Sequence, residues 1–130
     1  MRDHKKLRAF DLADECAVLV YDITKFFPKE ELYGLASQMR RAAVSAASNL
    51  VEGSSRNSRA EYLRFLEIAY GSLRELGYQA DLAKRLGMAD PRDWVPVSAK
   101  IEEAQKVLAA LIRSIQRANQ TLMLNHSLHH

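Results

Sequence analysis

The stretch LASQMRRAAVSAASNLVEG, residues 35–53, decides the fold. Leu35, Met39, Ala43, Ala46 and Leu50 recur at spacings of three and four, which makes one apolar helix face. Gln38, Arg41, Ser45, Ser48 and Glu52 recur at the same spacings and make a polar face beside it. Small residues fill the space between, from Ala42 to Ser48, so a neighbouring helix can approach closely. Gly53 is placed to end the helix in a left-handed conformation. Tyr33, Val44 and Val51 add a further apolar flank, wider than a helix in a monomeric bundle needs. That flank predicts packing against a second subunit, or else ordinary exposed apolar residues.

Upstream of this helix, Pro28 closes a first helix expected from Asp11 to Phe26. Its apolar residues are Leu12, Cys16, Leu19, Ile23 and Phe26, with Asp11 as N-cap. Lys29, Glu30 and Glu31 open the second helix, expected over 29–53, with acidic charge at the favourable end of the helix dipole. Residues 1–10, rich in Lys and Arg, read as a basic arm. Downstream, GSSRN (53–57) is a loop, and Ser58 followed by Glu61 has the capping-box spacing. The third helix then runs to Leu86 and stops at Gly87, with a core stripe of Tyr62, Phe65, Leu66, Ala69, Leu73, Leu76, Ala80 and Ala83. Gly71 and Gly77 weaken it, which predicts a close helix contact at each. Asp90-Pro91 starts one helical turn that Pro96 interrupts or kinks. The fourth helix carries Val97, Ile101, Ala104, Leu108, Leu111, Ile115, Ala118 and Leu122, a seam of alternating fours and threes.

Four amphipathic helices on short turns can bury their stripes only against one another. The expected fold is all-α, an up-down-up-down antiparallel four-helix bundle spanning 11–122, with 123–130 a disordered tail. At 130 residues and 48% hydrophobic, the chain is large enough for one independent core. Three prolines and five glycines leave helix as the favoured state. The single Cys16 cannot form an intrachain disulfide and suits a small core position. No run of the length a membrane span needs is present, and the N-terminus lacks the apolar stretch of a signal peptide, so a cytoplasmic protein is expected.

Catalytic chemistry is hard to assemble from these residues. The histidines, His4, His126, His129 and His130, all lie near the ends, so neither a Glu-x-x-His metal motif nor a nucleophile–base pair forms within the helices. Cys-x-x-Cys and a glycine-rich phosphate loop are also missing. Neither an enzyme, a metal nor a cofactor is expected. Gln38, Ser45, Ser48, Asn49 and Glu52 converge on the second helix and read as a structural polar network, with a binding surface or a catalytic centre as the alternatives. Glu52, near a helix C-terminus, calls for an arginine partner from the loop or the third helix. Arg56, Arg59 and Arg64 cluster around the second turn, and Arg40 and Arg41 form a second group. These five are the candidate nucleic-acid contacts, although a net charge of +3 permits such binding without requiring it. Lys106, Arg113 and Arg117 make a third basic face.

The run from Phe27 to Arg56, with Gln38, Arg41-Ala42-Ala43, Ser45, Ser48-Asn49 and Glu52-Gly53, followed by Phe65-Leu66 and Gly71–Leu76, resembles the proteins encoded in intervening sequences of 23S ribosomal RNA genes. Departures are mild: Leu50 and Val51 stand where that family often has Ile-Ala, and Ala46 replaces a larger aliphatic residue. The resemblance implies a four-helix bundle assembling into a ring-like homopentamer with no established enzymatic activity. It extends to the accessory protein of diversity-generating retroelements, a basic pentamer that binds a reverse transcriptase and nucleic acid. The expectation is therefore a non-enzymatic homo-oligomeric scaffold binding RNA or DNA. The alternative is an interaction scaffold for another polypeptide, such as a nucleic-acid enzyme.

Overall fold

The computed structural model describes residues 4–128. It contains four α-helices, α1 (His4–Thr24), α2 (Leu35–Ser54), α3 (Arg59–Arg85) and α4 (Pro91–Leu128), with one 3-10 turn at Lys29–Glu31. No strand occurs among the described residues. Each helix packs against two others, in the cycle α1–α2–α3–α4 and back to α1. The register is antiparallel. Arg8 pairs with Glu103 and Glu15 with Lys100, each at 2.9 Å. Ser45 meets Ser72 at 3.0 Å, while Gly53 lies against Phe65. Gln105 reaches the Leu73 carbonyl at 2.9 Å, and Asn119 lies opposite Arg59. This is the up-down-up-down four-helix bundle that the stripes require.

The stripes fill the core. Met39, Ala43, Ala46 and Leu50 of α2 are buried against Leu66, Ala69, Leu73 and Leu76 of α3 and the inner faces of α1 and α4. Cys16 is buried among them, and loss of hydration pushes its thiol pKa up to about 12. Ser58 caps α3 as expected, its hydroxyl accepting from the Glu61 amide at 3.0 Å. Gly87, at φ 74°, ends that helix in the left-handed region. Beyond it, the Asp90 carboxylate accepts from the Arg92 amide and guanidinium, which holds its pKa below the usual range.

Several boundaries differ from the sequence reading, each for a physical reason. α1 begins at His4, so the basic segment read as an arm is helical from that residue; Met1–Asp3 lie outside the described residues. Ala9 is buried and Phe10 packs on the core, so the segment carries apolar cargo of its own. α1 ends at Thr24, and Phe26 is 68% exposed instead of buried. The turn presents Phe27, which packs on Trp94 with ring centroids 5.9 Å apart.

The second helix divides. The turn at Lys29–Glu31 is separate from α2, and the Glu31 carboxylate accepts from the Leu35 amide at 3.1 Å, at the start of α2. Gly53 is not a left-handed stop: it lies inside α2, buried at the approach to α3. Pro96 lies inside α4 without ending it: it has no amide to give the Arg92 carbonyl, yet the helix continues to Leu128. Residues 123–128, read as a disordered tail, belong to α4, and His129 and His130 lie outside the described residues. The α4 seam is buried as far as Leu111 and Ile112, then half-buried at Ile115, and exposed at Ala118 and Leu122. Gly77 does lie close to α4, where an added β-carbon would meet the Gln105 amide. Gly71 faces open space, so close packing does not explain it.

Candidate functional site

The polar face of α2 divides on packing. Ser45 is half-buried, shares a hydrogen bond of 3.0 Å with Ser72 of α3, and receives one from Asn49 Nδ2, which also donates to the Ser45 carbonyl at 2.8 Å. These three residues tie α2 to α3 at a fixed register. Gln38, Ser48 and Glu52 do not join them, so the five residues form no single enclosed network. Glu52 finds the arginine it needs: Arg56, one turn on in the loop, donates to its carboxylate at 3.2 Å. The sequence reading missed Gln79. It is buried on α3, two turns from Ser72 on the same face, and donates to Glu75 at 3.1 Å. Its carbonyl oxygen is the buried side-chain atom without a partner among the described residues. Only its place beside a core stripe hinted at this.

The candidate arginines fall into two regions roughly 20 Å apart along α2, at 1.5 Å per residue. In the first, Arg40 is half-buried and committed to packing. Its Nε donates to Thr24 Oγ1 at 2.8 Å, and its guanidinium lies 4.9 Å from the Tyr21 ring centroid. Thr24 in turn donates to the Val20 carbonyl at 2.7 Å, so Arg40 secures the end of α1. Arg41 is exposed beside it, over a shallow groove floored by Tyr21, Leu32, Tyr33 and Val44.

The second region is a cleft of about 380 Å³ at the α2–α3 turn, lined by Lys6, Gly53, Ser54, Arg56, Asn57, Ser58, Arg59 and Tyr62. Its geometry follows from Gly53. Without a β-carbon there, α2 and α3 come together, and Tyr62 and Phe65 stand close to the turn. Each ring then carries a cation: Lys6 Nζ is 4.6 Å from the Tyr62 centroid, and Arg56 Cζ is 4.8 Å from that of Phe65. Arg59 reaches Asn119 of α4 at 3.4 Å, which leaves most of its donors toward solvent. Arg64 is exposed but does not line the cleft; five residues along α3 turn it about 140° from Arg59. The structure thus brings together Arg56 and Arg59 and adds Lys6, which the sequence reading had placed in an arm. Three cations facing a polar opening attract an anion. Among the described residues no group of three His, Cys, Asp or Glu is placed to hold a metal ion. No described helix is long and apolar enough to cross a membrane.

Comparison with known proteins supplies a relationship that matches the architecture. The family model described as "23S rRNA-intervening sequence protein" matches residues 5–110. No functionally curated protein matches the chain. Among solved structures, the chain is similar to a protein with unknown function from the S23 ribosomal protein family of Bacteroides thetaiotaomicron. The two are 24% identical with a TM-score of 0.76, over 84% of this chain and 98% of the other. That likeness concerns the fold.

Proposed function

This chain belongs to the family of 23S rRNA-intervening sequence proteins, and on that premise we propose a non-enzymatic, homo-oligomeric scaffold that binds RNA or DNA through its basic residues. The observation that carries the reading is the apolar flank left uncovered along α1, the segment joining it to α2, and α2 itself. Tyr33 is 91% exposed, and Tyr21, Leu32, Val44 and Val51 are exposed with it. Tyr21, Leu32, Tyr33 and Val44 share one groove with Ser37, Arg40, Arg41 and Ser45, an open surface of mixed character on which a partner could pack. A second copy of the chain is the proposed occupant, with five copies closing a ring as the family resemblance implies. Five copies at +3 each would repeat the α2–α3 cleft around that ring, and linked weak phosphate sites gain from multivalency. A cytoplasmic location goes with this reading.

The test is the absolute mass in solution by light scattering, alone and with a short structured RNA. A mass of five chains that rises on adding RNA is expected. A monomer overturns the assembly, and an oligomer indifferent to RNA overturns the nucleic-acid role. The last outcome would favour the second reading, a scaffold for another polypeptide. What supports that reading is the exposed end of α4, where Leu122, Met123 and Leu124 are all uncovered.

A further inference from the structure

We infer that the cleft at the α2–α3 turn reads the phosphodiester backbone alone, with Tyr62 in its lining and Phe65 beside it seating cations instead of stacking on bases. The inference rests on the nucleic-acid reading above and says what part of the ligand is recognised. Lys6, Arg56 and Arg59 supply three cations, Ser54, Asn57 and Ser58 supply neutral polar groups, and among the described residues no carboxylate lines the cleft. Glu52 holds Arg56 from outside that lining and occupies one of the guanidinium's five N–H donors at 3.2 Å.

Proteins that grip single strands ordinarily stack bases on exposed aromatic faces. Here Tyr62 and Phe65 are both half-buried. Tyr62 packs on Gly53, where an added β-carbon would stand 3.2 Å from Cδ1, and Lys6 lies over its ring at 4.6 Å. Arg56 lies over Phe65 at 4.8 Å. A base entering either position would displace the cation that the adjoining phosphate needs. The rings hold the positive groups in place, and the cations face an opening of about 380 Å³. Such a site responds to the spacing and charge of phosphates and is blind to base identity.

The experiment uses the full chain and two dye-labelled DNA strands of equal length, one of thymidines and one of abasic residues with the same number of phosphates. Binding is followed by fluorescence anisotropy across a salt series. The expected result is affinities within about threefold of each other, since stacking would add to only one of them. The Arg56→Gln/Arg59→Gln double variant should weaken both by about tenfold or more and flatten the salt dependence by a slope of about 1.4. Arg85→Gln, at the end of α3 opposite Arg59, should leave both unchanged, and thermal melts confirm that each variant is folded. Thymidine binding more than about tenfold tighter than abasic overturns the inference and leaves nucleic-acid binding intact. Undiminished binding of both strands by the cleft variant overturns it in the same way. If neither strand nor a structured RNA binds, the nucleic-acid reading fails and takes the inference with it.

Discussion

Gly53 of α2 stands so close to Phe65 of α3 that a β-carbon built on it would lie 2.9 Å from the Phe65 β-carbon and 3.2 Å from Tyr62 Cδ1. The first neighbour is attached directly to backbone and cannot swing aside, so a side chain at position 53 must push the two helices apart. Gly53→Ala gains up to about 1 kcal/mol of helix propensity and incurs roughly 1–3 kcal/mol of overpacking. The expected net effect is a destabilisation of about 1 kcal/mol, read as a lower midpoint in urea. The variant should also weaken phosphate binding, because the Tyr62 ring that seats Lys6 moves with α3. A variant as stable as the parent would show that the helices separate without loss.

Gly71 lies on the same helix as Phe65 and gives the opposite result. It is exposed, and an added β-carbon meets nothing within 4 Å. Only propensity is in play, so Gly71→Ala should stabilise the protein by about 0.5–1 kcal/mol. A matched pair of denaturant titrations on the two alanine variants separates close approach from backbone entropy.

These two glycines also mark what periodicity can and cannot convey. The stripes of α2, α3 and α4 predicted the buried faces because burial and spacing are linked by a fixed helical repeat of about 3.6 residues. Gly53 and Gly71 look equivalent by propensity, and only the partner helix distinguishes them. The same holds at the ends of elements. Phe26 continued the period of α1, but the helix ended at Thr24 and Phe27 took the core position. In the cleft, Arg56 and Arg59 were legible because they adjoin one turn in sequence. Lys6 comes from α1, far away along the chain, and Arg64 was grouped with them although the helix turns it aside. Ser45 and Asn49 lie one helical turn apart in the sequence, whereas Ser72 and Gln79 became visible only with the α2–α3 register.

Trp94 anchors the start of α4. Its side chain is buried, its indole N–H donates to the Met88 carbonyl, and its ring packs on Phe27. Trp94→Phe removes the donor, leaves the Met88 carbonyl short of a partner, and opens space beside Phe27. The hydrogen bond alone accounts for about 1 kcal/mol, and the lost volume brings the expected cost to roughly 2–3 kcal/mol. Because Trp94 is the single tryptophan, its emission reports the same site. Native protein should emit at short wavelength and shift red in one step with loss of helical circular dichroism. A red-shifted native spectrum would contradict the burial.

Cys16 provides a pH test of the core. Burial raises its thiol pKa from 9.0 to about 12, with the nearby Lys100 ammonium opposing the shift. The folded state therefore holds its proton through a window in which the unfolded chain releases it. By linkage, the stabilisation from this group is fully present below pH 9 and declines as pH rises toward 12. The thiolate is the reactive form, so native protein should resist a thiol-specific disulfide reagent at about pH 8 and react only by unfolding. At fixed pH the rate should follow the unfolded fraction as urea is added. Rapid labelling of native protein would place Cys16 at the surface and undo the packing of α1 against α4.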